Sequence, residues 1–359
     1  MLKTELKKRN LPALKTREEM IEILQREVYG YLPYVKYSIS ADKPQMEEKR
    51  FACGNVVHSS VNLTVTLENG SHSFRVDRLL HQDEKKRPLI LLNNFHPMGS
   101  TPYFPMEELS ESEADFLVFC YKDISSDDGD FSNGLAKLLL PEGQNTNETC
   151  GKIGIWAWGA MRVLDYGLTL EGTDSKNVGI AGHSRLGKTA LYTAMLDERF
   201  RFVFSNAAGC AGDSLAHGNS GLSREKRTPN LGELICDIVE NFPYWFCKNY
   251  AKYAKTNFSE TFDQHFLLAT IAPRFVLVGS CDLDFWADPH SQQLCALAAG
   301  EAWENAGLQG LVGPDRYLNP GEMLTDGNVG YFLIHSMHFL SRHGWKCFLE
   351  FIEKHKAES

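Results

Sequence analysis

Apolar residues recur with two different periods along this chain. Between residues 16 and 31 the spacing is helical: Met20, Ile21, Leu24 and Val28 share one face, with Thr16 and Glu19 spaced as a capping box. From Tyr37 to Leu80 the period becomes two, as in Val61, Leu63, Val65 and Leu67, and the break at Glu68, Asn69 and Gly70 carries the Asn-Gly pair of a tight hairpin. This predicts a helix followed by an antiparallel β extension. Short continuous apolar runs follow at Pro88–Asn93, Phe116–Tyr121, Val178–Gly182, Phe202–Ser205, Phe275–Gly279 and Val329–His335. Runs of that kind suit strands buried on both faces. Helical stretches stand between them, notably Ile153–Leu170, with Trp156, Ala160, Val163 and Leu164 expected inward, and a last helix spans Trp345–Lys356. Alternation of this sort predicts an α/β fold with a mostly parallel central sheet covered by helices on both faces. No internal repeat or low-complexity linker appears, so one domain over 1–359 is expected, with the helix and β extension in 1–85 and the core in 86–359.

Composition narrows the function. The chain is 43% apolar and 23% charged, as an ordinary globular protein is, and its net charge of −9 with scattered Lys and Arg argues against nucleic-acid binding. No apolar run is long enough to cross a membrane, and the opening MLKTELKKRN is not followed by the apolar stretch of a secretion signal. A cytoplasmic location is therefore expected, or a secreted one if an export signal has been removed. Nine cysteines at irregular spacing, without C-x-x-C, suggest separate reduced thiols. The acidic run Asp123–Asp130 lacks the closing Glu of a calcium loop and is expected to be a solvated loop. No metal or other cofactor is called for, and oligomeric state is left open.

The chemistry centres on NVGIAGHSRLGKTAL, residues 177–191. A short buried strand, then Gly182, Ser184 and Gly187, then a helix: this is the order of a nucleophile elbow, with the spacing G-x-S-x-x-G. Such a corner exposes the serine hydroxyl, while the helix N-terminus faces developing negative charge. A serine hydroxyl needs an imidazole to take its proton and a carboxylate to orient that imidazole. In hydrolases built on this kind of sheet the order is serine, acid, histidine. The strand Phe275–Gly279 runs into Asp282, Asp284 and Asp288, and the last strand into His335, His338 and His343. His338 falls in the loop where a base belongs. Asp284 lies a few residues past its strand, Asp288 precedes Pro289 and suits a helix cap, and Asp282 stays open.

With these residues assembled, the chain resembles the glucuronoyl esterases, carbohydrate esterase family 15, particularly the bacterial branch. The stretches that carry the resemblance are Trp156–Ala160, Gly182–Lys188, Phe242–Phe246, Asp263–His265 with Ile271–Arg274, Asp284–Pro289 and Gly330-Tyr331, in the family's order over roughly residues 150 to 345. The resemblance implies an α/β-hydrolase fold and metal-free cleavage of the ester between glucuronic acid of glucuronoxylan and a lignin alcohol. It further implies that Ser184 is the nucleophile, His338 the base and Arg185 an oxyanion ligand, and that Lys188, Glu233 and Trp286 meet the uronate. Where some members carry a glutamate as the triad acid this chain has Cys210, which favours Asp284. The residues around the base are Ser336, Met337 and Phe339, and the polar insertion 213–227 is expected to reshape the substrate side.

The expected function is thus a serine esterase acting on a uronic acid ester of a carbohydrate through an acyl-enzyme. Two alternatives stand beside it. One is an acetyl-xylan or oligosaccharide deacetylase, and the other is a carbohydrate-binding pseudoenzyme that retains the elbow.

Overall fold

In the computed structural model, which describes residues 1–52, 54–98, 104–141, 146–218 and 232–358, eleven strands form one sheet. In chain order they are β1 (Tyr37–Ala41), β2 (Gln45–Phe51), β3 (Val56–Leu67), β4 (Gly70–His81), β5 (Arg87–Asn94), β6 (Asp115–Cys120), β7 (Thr173–His183), β8 (Phe202–Asn206), β9 (Phe275–Cys281), β10 (Met323–Leu324) and β11 (Val329–Ile334). The spatial order is β1-β3-β4-β6-β5-β7-β8-β9-β11-β10, with β2 on β3. From β6 to β11 every neighbouring pair is parallel. The expected β extension is antiparallel, and it is no separate layer: β4 pairs with β6, so it continues the same sheet. Its hairpin turns at Asn69 and Gly70, the latter at φ 143°, which only glycine adopts readily.

Successive side chains of the parallel strands alternate between two cores. Leu89 and Leu91 of β5 pack on one face with the helix Lys152–Gly167, whereas Ile90 and Leu92 pack on the other with Trp345, Phe348 and Phe351 of the helix Arg342–His355. Burial on both faces explains why these strands read as unbroken apolar runs. The helix Lys152–Gly167 is buried around almost its whole circumference, beyond the four inward residues expected, because the helix Arg185–Leu196 flanks it and β1 and β3 of the extension also lie against it. The first helix, Arg17–Leu24, begins with the predicted capping box: Thr16 accepts from the Glu19 N–H, and the Glu19 carboxylate accepts from the Thr16 N–H at 3.0 Å. It then widens into a π turn, Gln25–Tyr29. A further helix, Leu2–Lys8, has no counterpart in the periodicity.

Candidate active site

The site lies where the parallel strands end. β7 finishes at His183, and Ser184 occupies the corner before the helix Arg185–Leu196 with φ 57° and ψ −127°. A non-glycine residue in that region is strained by about 1–3 kcal/mol, which the surrounding contacts must offset. One contact is the Ser184 N–H donating to the Asn206 carbonyl at 2.8 Å. Close packing supplies the rest: a Cβ on Gly182 would lie 2.0 Å from the Leu186 carbonyl oxygen, and one on Gly187 3.0 Å from Ser205 Oγ. Gly182 is required by the tightness of the turn, whereas a Cβ at 187 would need its neighbours to give by a few tenths of an ångström. As the first residue of its helix, Arg185 has an N–H without an intrahelical acceptor, beside the serine.

His338, four residues beyond β11, has its Nδ1 2.6 Å from Asp284 Oδ2. Asp284 follows β9 and is buried, which favours a fixed carboxylate against one ring nitrogen and leaves the other for a reacting proton. The other two acids have different partners. Asp282 faces His335, Oδ2 to Nδ1 at 2.8 Å, and Asp288 caps the helix Pro289–Ala299 by accepting from the Ser291 N–H. His343 lies in the first turn of the helix Arg342–His355.

Arg185 is held by elements the sequence does not connect to it. Its guanidinium pairs with Asp127, whose carboxylate also accepts from Tyr121 Oη at 2.7 Å and Trp245 Nε1 at 2.8 Å. The rings of Trp245 and Phe242 lie 4.6 and 5.3 Å from it. The acidic run is therefore not simply a solvated loop: Asp128 and Asp130 are exposed, but Asp127 turns inward. Lys152 fixes that loop from below. Its buried ammonium donates to Ser125 Oγ at 2.8 Å and to the Asp130 carbonyl at 2.6 Å, and burial lowers its pKa.

Ser184, Arg185 and His338 line one cleft of about 180 Å³ together with Lys188, Glu233 and Trp286. Lys188, one turn along the helix from Ser184, is buried; it donates to the Ala208 carbonyl and lies 3.9 Å from Glu233 Oε2. Trp286 Nε1 donates to Glu233 Oε1 at 3.1 Å, while its indole stays 46% exposed at the mouth. Burial raises the Glu233 carboxyl and Lys188 opposes that shift. A buried ammonium and carboxylate side by side form a donor and acceptor pair suited to sugar hydroxyls.

Two further residues hold His338 and its loop. The His183 ring packs 4.4 Å from that of His338, and burial with His338 beside it lowers its pKa to about 3, so it is neutral near neutral pH. Asn206 Nδ2 lies 2.9 Å from His183 Nδ1 and donates to the Phe339 carbonyl at 3.1 Å, tying the loop that carries His338 to β8. Sequence alone offered no signal for Asn206 beyond its place at a strand end. Cys210 is a buried thiol raised by desolvation, and Asp213 is fully buried with its oxygens on Ser205, Gly209 and Gln292. Of the insertion 213–227, residues 219–227 lie outside the described residues. Among the described residues no group of three or more His, Cys, Asp or Glu is placed to hold a metal ion.

Comparison with known proteins places the chain in a family. The family model for "Glucuronyl esterase, fungi" matches residues 109–307, more than half of the chain. The carbohydrate esterase MZ0003, from an unknown prokaryotic organism, is 34% identical over 240 residues, covering 66% of this chain and 52% of that protein. The 4-O-methyl-glucuronoyl methylesterase of Podospora anserina is 25% identical over 296 residues, covering 81% of this chain and 56% of its own. The chain thus spans about half the length of these curated relatives. Among solved structures, a glucuronoyl esterase from Solibacter usitatus superposes with a TM-score of 0.83 at 26% identity, over 94% of this chain and 92% of that one. A promiscuous CE15 esterase from a marine bacterial metagenome gives 0.82 at 25% identity, over 95% and 91%. The fold is accordingly that of the α/β-hydrolases, and by sequence and structure alike the chain belongs to the glucuronoyl esterase family, carbohydrate esterase family 15.

Proposed function

We propose that this protein is a serine esterase that hydrolyses esters of glucuronic acid, of the kind joining glucuronoxylan to lignin alcohols, through an acyl-enzyme. The observation that carries the reading is the sharing of one cleft by Ser184 and His338 with the buried Lys188 and Glu233 pair. Hydrolysis requires the first two residues, and recognition of a hydroxylated acyl group requires the second pair. In the reaction Ser184 Oγ attacks the uronate carbonyl carbon while His338 takes its proton, with Asp284 orienting the ring. The oxyanion is met by the Arg185 guanidinium and the N–H at the start of its helix. As the intermediate collapses, His338 returns the proton to the departing alcohol oxygen. Water, deprotonated by the same imidazole, then attacks the glucuronoyl ester on Ser184 and releases the acid and the free serine.

Assays of benzyl glucuronate and of an acetylated xylooligosaccharide with wild type and Ser184→Ala test this reading. Glucuronate turnover that disappears with the hydroxyl supports it. Acetate release without glucuronate turnover replaces the substrate, and turnover of neither points to a binding protein.

A further inference from the structure

Behind the cleft that holds Ser184 lies a buried polar network that no step of the reaction uses. Residues 207–213 follow β8 as a tight turn, and Ala207, Ala208 and Gly209 form part of the cleft wall. Three residues of that turn have left-handed backbone angles: Ala207 at φ 49°, Gly209 at 63° and Ala211 at 54°. Glycine adopts this region freely, whereas two alanines in it are strained and stay there only where neighbouring contacts impose it. Asp213 supplies the contact at the middle of the turn. Its Oδ1 accepts from the Gly209 N–H and from Gln292 Nε2, both at 2.8 Å, and its Oδ2 from Ser205 Oγ at 2.7 Å. Gln292 Oε1 in turn accepts from Ser280 Oγ at 2.8 Å. These four side chains are fully buried, and they join β8, β9, the turn and the helix Pro289–Ala299.

The same turn carries the acceptor of a recognition residue. Lys188 donates its buried ammonium to the Ala208 carbonyl, and its stem packs on the turn, where a Cβ on Gly212 would lie 3.0 Å from Lys188 Cγ. The Asp213 carboxylate and the Lys188 ammonium also attract each other. Burying a carboxylate is costly unless hydrogen bonds and an opposite charge compensate it, and here both do. We infer that Asp213 is a positioning residue for substrate recognition: by holding the turn 207–211 it places the Ala208 carbonyl, and through it the Lys188 ammonium, where the hydroxyls of the sugar bind. The inference rests on the esterase reading above, in which Lys188 and Glu233 meet the uronate. The hydrogen-bond partners of Asp213 are Ser205, Gly209 and Gln292, not the triad, so it acts on the choice of acyl group and not on the cleavage of the ester.

Asp213→Asn keeps the shape, removes the charge and sets an amide N–H₂ among groups that donate. Its effect is read as kcat/KM on benzyl glucuronate, whose acyl group carries hydroxyls, and on 4-nitrophenyl acetate, whose acyl group carries none. The ratio of glucuronate to acetate should fall by at least about fivefold. In a Lys188→Met background the same substitution should change the ratio by less than about twofold, because the route to the sugar is already cut. Equal losses on both esters would mean that Asp213 only supports the fold. That result, an unchanged ratio, or a full further loss beside Lys188→Met overturns the inference while leaving the esterase reading intact. A wild type without turnover of benzyl glucuronate overturns the esterase reading for that substrate, and the inference falls with it. If the acetate is not turned over, the cycle with Lys188→Met on benzyl glucuronate decides. Should Asp213→Asn fail to fold, Ser205→Ala, which removes one donor to the same carboxylate, is judged by the same ratio.

Discussion

Asp284 and His338 meet side chain to side chain at 2.6 Å, 54 residues apart in sequence, while two residues upstream Asp282 makes an equivalent pair with the exposed His335. The two pairs differ in setting. The Asp284 carboxylate is buried and its histidine lines the cleft that holds Ser184, whereas the other pair faces solvent. Asp284→Asn should therefore lower kcat by about 10³ to 10⁴, since the imidazole loses both its tautomer and its partner. Asp282→Asn should stay within about twofold, as exposed pairs contribute little. Steady-state rates on benzyl glucuronate check both, and a large loss in the second variant would reverse the assignment.

Asp127 fixes the direction of the Arg185 guanidinium. Asp127→Asn keeps the acceptor for Trp245 but removes the charge, so the guanidinium is freed from a partly buried position. A loss of about 10 to 100-fold in kcat with KM little changed is expected, because the interaction matters where negative charge develops. A rise in KM alone would instead mean that Arg185 binds the ground state.

Lys188 and Glu233 should behave as one unit. Each is buried, so removing either leaves the other without its partner. Lys188→Met and Glu233→Gln should each reduce kcat/KM by at least about tenfold, and the double variant should lose less than the product of the two losses. Additive losses in a double-mutant cycle would show that the two do not act together.

His183 makes stability depend on pH. Its ordinary value of 6.5 falls to about 3 in the folded protein, through burial and the facing His338, with Arg185 adding to the effect and Asp284 opposing it. The unfolded chain thus binds a proton that the native state refuses. The associated stability is complete above pH 6.5 and is lost as the pH falls toward 3, amounting to a few kcal/mol over that range. Denaturant unfolding from pH 7 to pH 4 should show a steeper decline for wild type than for His183→Asn. Parallel curves would contradict this.

Much of this arrangement was legible in the sequence because it is local. The elbow and the buried strands follow from spacing within a few residues, and Asp284 and His338 were each marked by their place just past a strand. Asp288 announced its capping role through Pro289, and Lys188 its side of the helix through its distance from Ser184. Other contacts join residues with no shared pattern. Asp127 lies in a run that reads as a polar turn, and it is directed inward by its contacts with Tyr121, Trp245 and Arg185 and by the anchoring of the loop on Lys152. Asn206 looks like an ordinary strand-end residue; its meaning comes from neighbours that only the closed sheet supplies. Pairing of β4 with β6 was hidden for the same reason, since alternation reveals a strand but not its partner.

The most direct measurement is mass spectrometry of the wild-type protein quenched in acid at a series of early times during turnover of benzyl glucuronate, with Ser184→Ala treated in the same way. One glucuronoyl group on the peptide containing Ser184, absent from Ser184→Ala, is the expected result. Turnover with no adduct in either protein, or an adduct that persists in Ser184→Ala, would contradict catalysis through an acyl-enzyme at Ser184.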